Sequence, residues 1–249
     1  MLYKEWLGVR LKFYMLLVLY GLAGVTVIYM WLPFRYAIPM VRNLPLYPFQ
    51  PTFVQPLFRN WLTFSLLSII PIAVVCGVDT VADETDKGTL SFLLTRAVKR
   101  SRIYTAKIVL NITALVVAYI STSGIVLLID HLHPKYFYTE GNSNPVFLLE
   151  SVRLGDALGS TLVVLLAGTT ITVLTSLASI FARSTMHSLL LTVIVLLAGA
   201  VLFNHLIADI FYNSSARPLA SNLPDIMWFL VLTLGLYAVG LFCFERREF

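Results

Sequence analysis

Three aspartates follow the second apolar stretch of the chain at a spacing that could hold a metal ion. Asp79, Asp83 and Asp86 are four and three residues apart, so they share one face if the preceding helix continues through them. Carboxylates placed in this way can bind Mg²⁺ and, through it, a pyrophosphate group. Membrane enzymes that act on lipid pyrophosphates carry two aspartate-rich motifs, whereas this chain has one. An intramembrane Mg²⁺-dependent lipid-modifying enzyme is therefore kept only as an alternative.

A second group of candidate metal ligands lies near the end of the third apolar stretch. Asp130, His131 and His133 have a spacing that could serve a metal, but such a group more often forms the polar end of a helix in water. His205 and Asp209 are interpreted in the same way. No metal site is predicted for this chain.

The chain also has no sequence motif of a nucleotide-phosphate-binding loop. A phosphate-binding loop reads G-x-x-x-x-G-K-[ST], whereas Lys87-Gly88-Thr89 places lysine before glycine. We therefore expect no catalytic residue and no cofactor on this chain. Any ATP and Mg²⁺ would be bound by a partner.

The segment between the second and third apolar stretches begins acidic and ends basic. Asp83 and Glu84 precede Gly88, a plausible helix break, and residues 89–94 then read Thr-Leu-Ser-Phe-Leu-Leu. This pattern predicts a short helix at about 88–97, with a threonine near its N-cap and leucines along one face. Such a helix could dock a soluble partner or could be an interfacial loop without one. The spacing alone leaves both interpretations open.

The composition indicates that membrane-spanning helices position this segment. Of the 249 residues, 58% are hydrophobic and 12% are charged, with a mean hydropathy of +0.83, which leaves too little polar surface for a soluble globule. The long apolar runs lack period-2 alternation, and in lipid a helix satisfies its own backbone hydrogen bonds. The prediction is one all-α integral membrane domain over residues 1–249, with about six transmembrane helices at 13–32, 57–78, 104–129, 158–181, 187–207 and 226–244.

Positive charge determines the predicted orientation. With the N-terminus inside, twelve of the eighteen Lys and Arg residues lie on the cytoplasmic side, five of them between Arg96 and Lys107. Both termini are therefore expected to be cytoplasmic, and the chain is expected in the cell membrane. The net charge of +5 fits this orientation rather than nucleic-acid binding, because the basic residues occupy short segments between apolar runs. Residues 2–12 are amphipathic and predict an interfacial elbow helix before the first span.

Polar residues inside the predicted spans are mostly small. Ser, Thr and Gly cluster in the third and fourth spans, where they more often pack helices than bind substrate. Asn111 is the exception, because a lone amide near the inner leaflet could bond across a helix interface or line a transport path. The predicted spans contain no Asp, Glu, Lys or Arg at mid-membrane depth, which argues against an ion-coupled pump.

The ordered set of motifs resembles the membrane subunits of ABC-2 type transporters. Those permeases read E-x-x-x-G-T-L-x-x-L-L, then a basic turn, then a lysine at the start of the third helix. The matching residues are Glu84, Gly88, Thr89, Leu90, Leu93, Leu94 and Lys107. The Lys4-Glu5 elbow, the turn at 181–184 and the closing Phe-Glu-Arg-Arg also fall where that family has comparable features. The resemblance covers essentially the whole chain, and it is greater to compact permeases encoded apart from their ATPase than to large fused exporters.

This resemblance implies a permease subunit driven by separate ATPases. It implies two cytoplasmic ABC ATP-binding subunits, a second permease copy or homologue, surrounding membrane lipids and no nucleic acid. The helix after Gly88 would be the coupling helix, braced at its bend by acidic residues, with a second and smaller contact after the fourth span. By matching position, the residues assigned to ATPase coupling are Asp83, Glu84, Gly88, Thr89, Leu90, Phe92, Leu93, Leu94, Arg96, Lys99, Arg100, Arg183 and Ser184.

The family's second and fifth helices usually face the interface between two permease subunits, so the resemblance also implies a translocation path. Its candidate residues are Phe64, Ser68, Pro71 and Asn111, with residues 189–203 facing the same interface. Residues 204–224 could form a re-entrant external gate. The implied function is ATP-driven export of an amphipathic or lipid-like substrate, and the chain itself is not expected to be an enzyme. The alternative is a permease-like subunit that transmits ATP-driven motion to an extracytoplasmic partner.

Overall fold

The structure is a computed structural model that describes residues 10, 13–29, 57–78, 80–82, 85, 100–132, 154–182, 184–202 and 219–246. Within this part of the chain the helices are α1 Phe13–Tyr29, α2 Leu57–Val78, α3 Arg100–Leu132, α4 Leu154–Phe181, α5 Thr185–Leu202 and α6 Leu219–Arg246. The prediction of an all-helical chain is confirmed for the described residues. The predicted elbow helix, the coupling helix and the external gate up to residue 218 lie outside them, apart from single positions.

Three of these helices contain segments that are long and apolar enough to cross a bilayer. The segments are Ser101–Leu132 in α3, Ala157–Phe181 in α4 and Asn222–Arg246 in α6. The other three described helices have shorter apolar segments, which are Phe13–Tyr29, Ser68–Val78 and Thr185–Ala198. The number of membrane crossings therefore stays a prediction.

Several helices extend beyond the predicted apolar spans. α3 continues to Leu132, so Asp130 and His131 belong to its last turn. α6 begins at Leu219 with Pro224 inside it, so it starts seven residues before the predicted span at 226. Hydropathy locates the apolar centre of a helix, whereas the polar turns at its ends continue the same backbone hydrogen bonds. Membrane helices also tolerate an internal proline, because neighbouring groups satisfy the freed carbonyl.

Pairs of contacts give the directions of the helices. The pairs are Trp61 with Ser123, Ser65 with Tyr119, Tyr20 with Tyr119, Gly24 with Thr122, Ile69 with Gly168, Gly77 with Thr172, Thr170 with Thr233, and Tyr104 with Gly240. They make α2 antiparallel to α3, α1 parallel to α3, and α4 parallel to α2. As a result, α1, α3 and α5 begin where α2, α4 and α6 end. We call this the basic end, because Arg10, Arg102, Lys107 and Arg246 lie there.

α4 is the central helix of the described part of the chain. The buried share of its most apolar window is 72%, compared with 39% for the window in α3 and 6% for the window in α6. Small residues allow α2 and α4 to approach closely: a Cβ added to Gly77 would lie 2.6 Å from the carbonyl oxygen of Thr172, and one added to Gly168 would overlap Ile69. This close approach fixes the end of α2 against α4.

Candidate functional site

A buried polar network lies where α2 ends, directly before the predicted coupling segment. Thr80, Lys107, Asn111 and Ser176 have exposed fractions of 3%, 9%, 4% and 0%. Lys107 Nζ donates a hydrogen bond to the carbonyl oxygen of Thr80 at 3.0 Å, and Asn111 Nδ2 donates to Thr80 Oγ1 at 3.3 Å. Thr80 Oγ1 and Ser176 Oγ are 3.0 Å apart. A single residue therefore ties the end of α2 to both α3 and α4.

The local sequence explains why Thr80 occupies this position. α2 ends at Val78, and the backbone N–H and the hydroxyl of Thr80 both donate to the carbonyl oxygen of Gly77, at 3.1 and 2.7 Å. Threonine is well suited to this bond, since its short side chain readily bonds to a nearby backbone carbonyl. Gly77 has no side chain to hold α4 away, so Ser176 reaches the turn.

Lys107 is placed where a buried ammonium is favoured. It lies near the beginning of α3, and its Nζ meets the C-terminal end of α2. The last carbonyl groups of a helix lack intrahelical donors and carry partial negative charge, so a cation there is stabilised. The lysine therefore bonds to the turn that follows α2 and lies near the negative end of that helix.

The hydroxyl groups of this network can change partners without a net loss of hydrogen bonds. Thr80 Oγ1 lies 2.7 Å from the carbonyl oxygen of Gly77 and 3.0 Å from Ser176 Oγ, which is itself 2.8 Å from the carbonyl oxygen of Thr172. Each hydroxyl carries one proton, so only two of these three contacts are hydrogen bonds at one time. A bond between α2 and α4 can thus be exchanged for one within a helix. Lys107 and Asn111 would meanwhile keep the turn attached to α3.

A family model for ABC-2 family transporter proteins matches residues 33–211. The chain belongs to this family. No curated protein matches the sequence. The matched range contains α2 to α5 and every residue of the polar network. The resemblance based on the motifs is therefore confirmed, and the chain is a permease, a membrane transport subunit rather than an enzyme.

A second feature of the permease at the basic end is the start of α5. Ser184 Oγ accepts a hydrogen bond from the backbone N–H of His187 at 3.4 Å and lies 2.7 Å from His187 Nδ1. This arrangement is an N-cap in which the third helical residue also contacts the capping side chain. Ser184, predicted as a coupling residue, thus starts α5, and its partner His187 is exposed beside it. The sequence analysis missed His187, although the Ser-x-x-His spacing at a helix start could have indicated it.

Most of the predicted coupling residues of the permease lie outside the described residues. They are Asp83, Glu84, Gly88, Thr89, Leu90, Phe92, Leu93, Leu94, Arg96, Lys99 and Arg183. Arg100 is described only as the first residue of α3. These assignments remain predictions. The described turn at Thr80 lies three residues before Asp83, the first of these predicted coupling residues.

The three aspartates of the metal-site alternative lie outside the described residues. The three aspartates share a face only if α2 continues through them, and α2 ends at Val78 with Thr80 and Val81 in a turn. The condition that α2 continues through all three is therefore not met, and the metal-site alternative stays a prediction. Among the described residues, no group of three or more His, Cys, Asp and Glu is arranged to hold a metal ion.

The predicted path residues of the permease separate into two places. Phe64, Ser68 and Pro71 lie on one face of α2 together with Val75, at intervals of four, three and four residues. Neighbouring helices leave this face uncovered, since Phe64 and Val75 are 40% and 58% exposed. Asn111 is instead buried and bonds to Thr80. The structure thus groups the three α2 residues and places the amide in the polar network.

α5 has a similar uncovered face. Ser188 and Thr192 point inward and are fully buried, whereas the residues around them are apolar and exposed. The exposed residues are Leu189, Leu190, Leu191, Val193, Ile194, Val195 and Leu197. In a membrane protein such a face meets either lipid or another helix.

Proposed function

We propose that this chain is the membrane subunit of an ATP-driven exporter of an amphipathic or lipid-like substrate. Two cytoplasmic ABC ATP-binding subunits would supply ATP and Mg²⁺, and a second permease copy or homologue would complete the path. The chain would cross the cell membrane about six times, with the elbow helix, both termini and the basic end in the cytoplasm. The observation that carries the proposal is the buried network around Thr80.

The network gives a physical route from the coupling segment into the membrane. A partner that pushes on residues 83–99 acts on the turn at Thr80, because that turn is the covalent continuation of the segment. Lys107 and Asn111 pass the displacement to α3, and Ser176 meets it on α4. Buried polar groups hold this connection firmly, since an unpaired group there would cost about 1–3 kcal/mol.

Charge supports the proposed orientation of the bundle. Arg10, Arg102 and Arg246 are exposed at the basic end. Lys and Arg near the ends of membrane helices favour the cytoplasmic side. ATP-binding subunits in the cytoplasm would then meet the end of the bundle that carries the turn at Thr80.

The uncovered faces of α2 and α5 support the proposal that a second permease subunit is present. Both faces are apolar and exposed within this chain. A substrate with an apolar part could move between such faces when two subunits meet, and the small polar Ser68 would lie on the way. The size of the substrate and its head group do not follow from these faces, so the proposal stops at an amphipathic class.

Co-purification and ATPase activity test the coupling role. The detergent-solubilised chain is purified from its native membrane, the accompanying proteins are identified by mass spectrometry, and ATP hydrolysis is measured. We expect an ATP-binding subunit to co-purify and Leu93→Asp to release it, because an aspartate would replace an apolar docking contact. Thr95→Asp, on the opposite face of the predicted coupling helix, is the matched control and should retain the subunit.

Two further results would decide against parts of this proposal. A chain that repeatedly purifies without an ATPase would contradict the coupling role, and equal effects of Leu93→Asp and Thr95→Asp would contradict the apolar docking face.

Cysteine labelling tests the orientation separately. An external reagent should modify a thiol at Asn142 and spare one at Ser101, and the reverse pattern would invert the topology.

A further inference from the structure

A shallow apolar groove lies at the basic end, between the last turns of α4 and α6. Phe181, Phe242, Cys243 and Arg246 line it. Phe181 and Phe242 are 57% and 53% exposed, although both are large apolar side chains. On a membrane protein, surface of this kind is covered by acyl chains or by a partner helix. Arg246 adds a cation to this otherwise apolar lining.

Arg246 is held beside the groove by an aromatic ring. Its guanidinium carbon lies 4.1 Å from the centroid of Phe242, a cation–π contact. No carboxylate pairs with Arg246 in the described part of the chain. Because stacking uses the flat face of the guanidinium, the N–H donors along its edge remain available for a planar or tetrahedral anion. Arg246 is therefore oriented to bind a phosphate group.

The position of Arg246 along α6 agrees with the depth of lipid phosphates. The apolar segment of α6 ends at Arg246, so the side chain lies where the hydrocarbon region meets the head groups. Phe242 lies one helical turn deeper, at the level of the first acyl carbons. The last turn of a helix also favours a cation, although it does not neutralise one.

We propose that this groove binds an anionic phospholipid of the cytoplasmic leaflet. The phosphate would accept hydrogen bonds from Arg246, and one acyl chain would lie along Phe181 and Phe242. The proposal uses the orientation proposed above, but it does not depend on ATP coupling or on the exported substrate. Its test can therefore fail independently of the transporter function.

Cys243 provides a reporter inside the groove. It is half-buried, whereas the other cysteine, Cys76, is only 2% exposed. A maleimide should therefore modify Cys243 in the folded chain, and modification of Cys76 signals unfolding. The full chain in detergent micelles is labelled in the presence of phosphatidylglycerol, phosphatidylcholine or inorganic phosphate. Peptide mass spectrometry then gives the rate of modification at each cysteine.

We expect phosphatidylglycerol to slow the modification of Cys243 about fivefold more than phosphatidylcholine, as one basic contact at a membrane surface would give. Arg246→Gln should abolish this difference. Arg102→Gln removes an exposed cation at the same end of the bundle but outside the groove, and should leave the difference intact. Phe242→Ala should weaken protection by both lipids, because it shortens the apolar wall and removes the stacking contact.

Three outcomes would overturn the site. Equal protection by both lipids would show no role for the charge, and protection by inorganic phosphate alone would show an anion site without a lipid. If Arg246→Gln and Arg102→Gln reduce the difference between the two lipids equally, the effect is one of general surface charge. If Arg246→Gln exposes Cys76 and so fails to fold, Arg246→Lys keeps the charge with a weaker stack and should give intermediate protection.

Discussion

The ammonium group of Lys107 lies 3.0 Å from the carbonyl oxygen of Thr80, so the beginning of α3 is bonded to the turn that follows α2. Both residues are at least nine-tenths buried. The bond joins α3 to the turn after α2, three residues before the predicted coupling residues begin at Asp83. Its contribution can be measured on the permease alone, without a substrate or an ATPase.

Lys107→Met should destabilise the folded permease. The substitution keeps an apolar stem of similar length and removes the donor to the Thr80 carbonyl, so we expect a loss of about 1–3 kcal/mol in the free energy of unfolding. Thermal unfolding in detergent can be followed in a Cys243→Ala background with a thiol-reactive dye, which then detects Cys76, 2% exposed when folded. Val109→Met, at a 49% exposed position of the same helix, is the control and should stay within about 0.5 kcal/mol. Equal unfolding temperatures for the two variants would contradict a stabilising role for the bond between Lys107 and Thr80.

Thr80→Val and Ser176→Ala should differ, although both remove one buried hydroxyl. Thr80→Val leaves the amide of Asn111 without its acceptor, which should cost about 1–3 kcal/mol. After Ser176→Ala, the Thr80 hydroxyl can still donate to Gly77, so we expect a change below about 0.5 kcal/mol. The same thiol-dye assay applies. A larger effect at Ser176 would mean that the bond between α2 and α4 does not exchange with an intrahelical one.

The helices of this protein could be predicted from its sequence because their apolar runs are long. α2 has the predicted bounds of 57–78, and the apolar centres of α3, α4 and α6 were predicted correctly. The predicted sixth span begins at 226, whereas α6 begins at Leu219. Polar residues and Pro224 interrupt the apolar run there, but the backbone is helical. Hydropathy detects burial in lipid and does not detect backbone continuity.

The candidate site could be predicted only in part. Lys107 was noticed as the residue that opens α3, and Asn111 as an isolated amide, but Thr80 was not considered. The two α3 residues are four positions apart and so share one helical face, a spacing that could have suggested a common partner. The identity of that partner depends on how close α2 and α4 approach at Gly77. Contacts among three helices cannot be derived from the pattern of any one of them.

Gly77→Ala should destabilise the permease, whereas Gly235→Ala should stabilise it. A Cβ at position 77 would lie 2.6 Å from both the Thr172 carbonyl oxygen and the Thr175 Cβ, so α2 and α4 would have to separate, at about 1–3 kcal/mol. A Cβ at position 235 meets nothing within 4 Å, and alanine favours the helix by up to about 1 kcal/mol. Unfolding temperatures of the two variants should move in opposite directions. Tolerance of alanine at both positions would contradict the close contact.

Tyr20→Phe and Tyr119→Phe should also have opposite effects, within one aromatic cluster. The Tyr20 hydroxyl is buried and has no hydrogen-bond partner among the described residues, so its removal should leave stability unchanged or raise it by up to about 1 kcal/mol. The Tyr119 hydroxyl lies 3.2 Å from Ser65 Oγ, and its removal should cost about 0.5–1.5 kcal/mol. Unfolding in detergent measures both changes. An equal loss of stability in the two variants would indicate that the Tyr20 hydroxyl has a hydrogen-bond partner in the folded protein.

Cross-linking should detect a second permease subunit on the uncovered face of α5. Leu190, Ile194 and Leu197 are about 60% exposed and lie on one face at intervals of four and three residues. With Cys76 and Cys243 replaced by alanine, single cysteines at these three positions are treated in membranes with a short bifunctional maleimide.

If two copies pair through α5, at least one of these positions should give a product of twice the chain mass. A cysteine at Val163 of α4, which is fully buried, should give none. A product with a different membrane chain would identify a homologue as the second subunit. Monomer at all three positions would contradict pairing through this face, because cross-linking requires the two thiols to approach within the reach of the reagent.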